Sequence, residues 1–120
     1  MNNTDLLKMR KAGSVANKRL KTARIHLKSN NSQEFYASIS AALNGYISDK
    51  LNIDIAELSK ENIQTELMKR AVNENIINNL IETLDNCDFI RYAPSQDSSN
   101  MSEFYTQTVE LISTIEKQIK

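Results

Sequence analysis

The sequence predicts an all-α fold, an irregular bundle of about five helices in a single domain. Its 120 residues contain only two glycines and one proline, whereas β-sandwiches and barrels need many turn residues. Apolar residues also recur along the chain at the three-and-four spacing of one helical face. A chain of this length has room for about one domain with one hydrophobic core.

The stretch Ser32–Leu51 is the best candidate for the centre of the bundle. Ser32 is a suitable N-cap, and Glu34 places a negative charge in the first turn, where it suits the helix dipole. The apolar side chains cover more than one side of the helix, so we expect contacts with several neighbours. These side chains are Phe35, Tyr36, Ile39, Ala42, Leu43, Tyr46, Ile47 and Leu51.

The preceding stretch, Thr4–Ser29, predicts a first helix with a thin inward stripe of mostly small residues. Such a stripe buries little area, so this helix should gain the least from packing. Asn30 and Asn31 end it. The stripe consists of Leu6, Met9, Gly13, Ala16, Leu20, Ala23 and Leu27.

Two helices are predicted after the central one. The connection 52–58 should be fixed to the bundle by Ile53, Ile55 and Leu58, and Ser59 should cap a short helix whose apolar side is Ile63, Leu67 and Met68. Asn73 should cap a longer helix that runs to about Arg91. Its apolar stripe consists of Ile76, Ile77, Leu80, Ile81, Leu84 and Cys87.

A last helix is predicted after a polar loop. Pro94 disfavours helix at Ala93, and Asn100 with Glu103 has the spacing of a capping box. We expect this helix to run antiparallel to the preceding one. Its apolar side is formed by Phe104, Tyr105, Thr108, Val109, Ile112, Ile115 and Ile119.

Charge is distributed unevenly although the formal net charge is zero. Residues 1–31 carry eight basic and one acidic side chain, a net charge of +7, and residues 32–120 carry a net charge of −7. We therefore divide the domain into a basic helix, 1–31, and a bundle core, 32–120. A basic stretch of this kind is typical of the cytoplasmic side of a membrane-spanning segment.

Three stretches of the sequence carry a family resemblance. They are Glu34–Tyr36 with Ala42–Leu51, then Leu58–Ile63, then Cys87–Pro94 followed by Met101 and Tyr105. Together they resemble the C-terminal region of the BatD family, membrane proteins of the bacterial aerotolerance operons. In that family the third stretch reads Cys-Glu, two residues, Arg, an aromatic residue and Ala-Pro, and Asp88 here replaces the Glu.

The resemblance implies a longer parent protein with extracytoplasmic β-rich domains, a transmembrane helix and this region as a cytoplasmic tail. It also implies protein partners from the same operon: von Willebrand factor A-type proteins, tetratricopeptide-repeat proteins and a MoxR-type AAA ATPase. We therefore expect a non-catalytic interaction domain of an oxidative-stress system. It would lie on the cytoplasmic side of the inner membrane and be soluble as this fragment.

Two groups of residues are candidates for binding. Arg91 and Tyr92 end the fourth helix, either as a structural corner, which we favour, or as a docking site for an operon partner. The basic side chains Lys8, Arg10, Lys11, Lys18 and Arg19 are candidates for contact with an anionic membrane surface. Nucleic acid is disfavoured as a partner, because residues 1–31 lack aromatic side chains other than His26 and the remainder is acidic.

The sequence shows no pattern of residues that indicates catalysis, a cofactor or a metal. The single histidine, His26, is interpreted as a surface residue, since metal sites need several ligands. Cys87 falls on the apolar stripe of the fourth helix and is interpreted as a buried, inert thiol rather than a redox sensor. The alternative to an interaction domain is a helical ligand-binding or enzymatic bundle whose site forms only in three dimensions.

Overall fold

The computed structural model describes residues 14–92 and 100–120, and side chains within residues 14–90 and 100–120. In this part of the chain all regular structure is helical, which confirms the all-α class. Residues 14–19 are helical. The elements that follow are α1 (Lys21–Lys28), α2 (Ser32–Leu51), a 3₁₀ turn (Ile55–Glu57), α3 (Lys60–Lys69), α4 (Glu74–Tyr92) and α5 (Met101–Gln118).

Helix α2 lies at the centre of the bundle, as predicted. It contacts α1, α3, α4, α5 and the 3₁₀ turn. Its N-cap is Asn31 rather than Ser32: the Asn31 side chain accepts a hydrogen bond from the backbone N–H of Glu34, at 3.3 Å. The helix ends at Asn52, which adopts the left-handed conformation with φ of 57° and so stops the regular turn.

The basic segment, residues 14–28, packs on α2 through small and medium apolar side chains. Ala16, Leu20 and Ala23 are fully buried, as the predicted stripe requires. The helix is locally irregular at Leu20, but the Leu20 N–H donates to Ala16 O and the Arg24 N–H donates to Leu20 O, both at 3.0 Å. These bonds keep the helical register through the irregularity. The predicted core residues Leu6, Met9 and Gly13 lie outside the described residues.

The caps predicted for α3 and α4 are confirmed. The Ser59 hydroxyl accepts from the backbone N–H of Asn62 at 3.1 Å, and the Asn73 side chain accepts from the N–H of Asn75 at 2.8 Å. Such bonds satisfy amide groups that the first helical turn leaves without a partner.

Two residues in this region that were predicted to face the core are exposed, so the prediction is wrong for them. Met68 is 62% exposed and Ile55 is 56% exposed. Met68 follows the buried Leu67 and is rotated about 100° from it around the helix axis, which turns the side chain away from the core. Ile55 lies in the 3₁₀ turn, and the connection packs against the core through Ile53 and Leu58, which are both half-buried.

Helix α5 runs antiparallel to α4, as predicted. The Gln118 side chain, at the end of α5, accepts from the N–H of Asn73 at 2.8 Å, beside the start of α4. The predicted capping box at Asn100 is wrong, because Asn100 has φ of −91° and ψ of 0° and its side chain makes no capping hydrogen bond within the described residues. A capping side chain needs an extended N-cap backbone to reach the first turn.

One continuous apolar core joins these elements, and it includes Met101, Leu111 and Val72, which periodicity alone did not assign to it. No helix among the described residues has both the length and the apolar character needed to cross a membrane.

Candidate functional site

The basic segment presents its five cations in two different ways. Residues 14–31 contain no acidic side chain. Arg19 forms an ion pair with Asp49 of α2, and Arg24 Nη1 donates to the Tyr105 hydroxyl at 3.3 Å. The three lysines, Lys18, Lys21 and Lys28, are exposed and form no ion pair with the residues that the structure describes.

This division refines the predicted membrane-surface residues. Lys18 is exposed and available, whereas the guanidinium of Arg19 is held against α2 by Asp49. Lys8, Arg10 and Lys11 lie outside the described residues. Of the predicted set, Lys18 alone is therefore placed on an open cationic surface.

An open groove of about 800 Å³ lies along one side of the contact between the basic segment and α2. The groove is open because some of the α2 side chains that line it are small. Lys18 and Arg19 border it on one side, and Asp49 and Lys50 border it on the other. Gly45 faces Arg19 across the same region: a Cβ atom at residue 45 would lie 3.5 Å from Arg19 Nη1. That distance is an ordinary contact, so the approach of the arginine does not require glycine.

Beside the groove lies a polar network of three side chains, of which two are buried and the third, Lys50, is 34% exposed. The Tyr46 hydroxyl donates a hydrogen bond to Glu116 Oε2, and Lys50 Nζ lies 2.9 Å from the same oxygen. The Glu116 side chain is only 5% exposed, and Tyr46 is 1% exposed. A buried carboxylate is costly unless it is paired and hydrogen-bonded, and here both conditions are met.

Burial raises the pKa of the Tyr46 hydroxyl far above its ordinary value, and the hydrogen bond to Glu116 and the charge of Glu116 raise it further. Arg19 opposes this shift without cancelling it. Tyr46 is therefore a persistent hydrogen-bond donor and is unsuited to act as a general base at neutral pH. The network joins α2 to α5.

Sequence periodicity missed this network, although one signal was present. Glu116 falls among the inward-facing residues Ile112, Ile115 and Ile119, and a carboxylate on an apolar stripe requires a partner when buried. The identity of that partner could not be read from the sequence, because Tyr46 lies 70 residues away.

The predicted partner-binding residues, Arg91 and Tyr92, form the end of α4. Their side chains lie outside the described residues. In the same turn, Phe89 is 71% exposed, although it was not among the predicted partner-binding residues. The sequence contains one indication of this exposure, since Phe89 is a large aromatic residue that lies outside the apolar stripe of Leu80, Leu84 and Cys87.

From the sequence, Cys87 was interpreted as a buried, inert thiol and His26 as a surface residue. Cys87 is fully buried on the apolar stripe of α4, as predicted, whereas His26 is half-buried rather than on the open surface. No group of three or more His, Cys, Asp or Glu side chains suited to a metal ion is found among the described residues.

These features define a small all-α domain with exposed lysines on its basic segment, an exposed aromatic residue and a Tyr–Glu–Lys network between α2 and α5. Comparison of the chain with protein-family models, curated proteins and solved structures finds no match.

Proposed function

We propose that this chain is a non-catalytic, cytoplasmic protein-interaction domain of a BatD-like membrane protein in an aerotolerance system. Of the residues that resemble that family, those that the structure describes lie in the central helix, at the start of α3, at the end of α4 and in α5. Most of those in α2 are buried, including Phe35, Tyr46 and Leu51, so they account for the fold. A docking site must be sought among the exposed members.

Phe89 is the observation that carries this proposal. A phenylalanine that is 71% exposed leaves a large apolar area in water, and burial of that area against a partner would be favourable. Aromatic residues are enriched in the cores of protein interfaces. Phe89 also lies in the third stretch of the family resemblance, within the last two turns of α4 that contain Arg91 and Tyr92.

The test uses purified proteins of the kinds that the resemblance implies: the tetratricopeptide-repeat, von Willebrand factor A-type and MoxR-type proteins of the source operon. Phe89→Ser should weaken binding of one of them by tenfold or more, since a central interface aromatic contributes about 2 kcal/mol or more. Met68→Ser is the matched control, because Met68 is 62% exposed on α3 and should leave the affinity unchanged.

Equal binding by wild type and Phe89→Ser would exclude this corner as the docking site. Binding of none of these three proteins would overturn the proposed partners. Because Phe89 is exposed, its substitution should leave the melting temperature nearly unchanged, so a loss of binding would not reflect unfolding.

The groove beside α2 favours a second candidate, a ligand-binding bundle. Its volume of about 800 Å³ is in the range of small-molecule sites. Its border carries Lys18, which forms no ion pair with the described residues, together with Asp49 and the ion-paired Arg19 and Lys50. Citrate and inorganic phosphate are suitable probes. A rise in melting temperature with either probe that is lost in Ala41→Phe, which fills the groove, would support this function, and no rise would exclude it for small anions.

A further inference from the structure

One face of the basic segment is both cationic and apolar. At 100° per residue, Lys18, Lys21, Ile25 and Lys28 fall within an arc of about 80° around the helix axis. We call this set the outer face. Ala16, Leu20 and Ala23, which are buried, lie on the opposite side. The hydrogen bonds that continue through Leu20 at 3.0 Å keep both sets in register.

The outer face carries charge that the described part of the fold does not neutralise. Its three lysines are exposed and form no ion pair with the described residues, and residues 14–31 contain no carboxylate. Ile25, between the lysines, is 58% exposed. More than half of this isoleucine is left in water by the described fold, and the lysines around it favour an anionic surface.

We propose that the outer face binds an anionic lipid bilayer, with the lysines at the level of the headgroups and Ile25 inserted between them. Helices that lie in a membrane interface combine these two features, an apolar contact and cations that attract anionic lipid. The proposal rests on the proposed function in one respect, the placement of this domain beside a membrane.

The choice of cations distinguishes a bilayer from a protein or nucleic-acid partner. Protein interfaces are enriched in arginine and depleted in lysine, and nucleic-acid binding commonly uses arginine and stacking aromatic residues. Both arginines of the described basic segment are engaged by other parts of the fold, Arg19 by Asp49 and Arg24 by Tyr105. The outer face, with three lysines and one isoleucine, therefore fits an anionic bilayer better than either alternative.

The test measures binding of the 120-residue chain to vesicles of equal parts phosphatidylglycerol and phosphatidylcholine at low salt. Each lysine near an anionic membrane contributes about fivefold in affinity, so replacing Lys18, Lys21 and Lys28 together by glutamine should weaken binding roughly a hundredfold. The matched control replaces Lys60, Lys69 and Lys120 by glutamine. That variant has the same net charge but an intact outer face, and it should lose much less affinity.

Insertion of the isoleucine is tested separately. Ile25→Ser should weaken vesicle binding by about threefold to tenfold, and Ile55→Ser, at a residue that is 56% exposed elsewhere, should have no effect. The proposal would be overturned if the two triple lysine variants lost equal vesicle affinity. It would also be overturned if the wild type did not bind the anionic vesicles, or bound vesicles of pure phosphatidylcholine equally well. Tighter binding to an acidic polymer such as heparin would also overturn it and indicate a macromolecular polyanion as the partner.

The vesicle experiment and the partner experiment test the two proposals independently of each other. The lysine and Ile25 variants leave Phe89 intact, and vesicle binding requires no operon protein. Vesicle binding without capture of a partner would overturn the interaction function alone, and capture without vesicle binding would overturn the outer face alone.

Discussion

Tyr46 is a buried residue with a polar group that must be hydrogen-bonded inside the protein. Its ring fills the core beneath the basic segment, and its hydroxyl is the group that, with Lys50, satisfies the buried carboxylate of Glu116. The energetic consequence depends on pH, because the pKa of Tyr46 is raised in the folded state. Below about pH 10 both the folded and the unfolded chain keep the Tyr46 proton.

We predict that the free energy of unfolding falls as the pH rises above about 10. There the unfolded chain releases the Tyr46 proton while the folded chain retains it, so unfolding is favoured by deprotonation. Tyr46→Phe should remove this part of the alkaline loss. At neutral pH the same variant should lose about 1–3 kcal/mol, since Glu116 keeps only Lys50 as a partner. Urea unfolding across this pH range measures both effects.

Tyr105→Phe is the control for the alkaline measurement, because it removes a half-buried tyrosine and leaves Tyr46 in place. It should keep the alkaline loss of the wild type. An alkaline dependence that is unchanged in Tyr46→Phe would show that other groups cause it.

Gly45 shows a second conflict at the residue scale, between helix propensity and space. It lies inside α2, where glycine is less favourable than alanine by about 0.5–1 kcal/mol. A Cβ atom there would meet Arg19 Nη1 at 3.5 Å, without overlap. We predict that Gly45→Ala raises the free energy of unfolding by up to about 1 kcal/mol, measured by thermal or urea unfolding. A loss of stability would instead show that Arg19 needs a closer approach to the α2 backbone.

At the scale of elements, side-chain caps determine where the helices begin. Ser59 and Asn73 were predicted correctly because each is followed by a clear apolar stripe and has no competing neighbour. At the start of α2, Asn31 and Ser32 are adjacent and both are good N-caps. Pattern alone could not separate them, and the backbone geometry selects Asn31, whose φ of −99° and ψ of 91° are extended.

This choice predicts unequal effects of two neighbouring substitutions. Asn31→Ala should lower the free energy of unfolding by about 1 kcal/mol, because the backbone N–H of Glu34 loses its hydrogen bond. Ser32→Ala, at the first helical residue, should change it by less than about 0.5 kcal/mol. Urea unfolding of both variants measures the difference, and a larger loss in Ser32→Ala would contradict the assigned cap.

The same distinction explains how far the sequence determines the fold and the site. The central helix and its burial follow from local periodicity, since Phe35, Ile39, Leu43 and Tyr46 repeat at helical spacing and are all buried. Pairings between elements do not follow from it. The contact of Tyr46 with Glu116 and that of Arg19 with Asp49 depend on how helices pack, which single-sequence periodicity does not encode. The exposure of Phe89 is also a tertiary property.

At the scale of the whole molecule, the basic segment and the bundle core carry opposite charges, yet apolar contacts hold them together. Among the described residues, Arg19–Asp49 is the one ion pair that joins the segment to the core, and an exposed pair contributes little to stability. Ala16, Leu20 and Ala23 are buried at the junction. The segment is therefore bound as part of the core rather than as a charged tail.

We predict that Leu20→Ala destabilises the whole domain. Leu20 is fully buried, and replacing a buried leucine by alanine costs about 2–5 kcal/mol. If the segment and core unfold as one cooperative unit, the melting temperature should fall while thermal unfolding stays a single transition, seen both by helix content and by tyrosine fluorescence. Ile25→Ala, at an exposed residue of the same segment, should shift the melting temperature little. Two separate transitions in Leu20→Ala, the first with a loss of only a minor part of the helix content, would instead show that the basic segment detaches from an independently stable bundle.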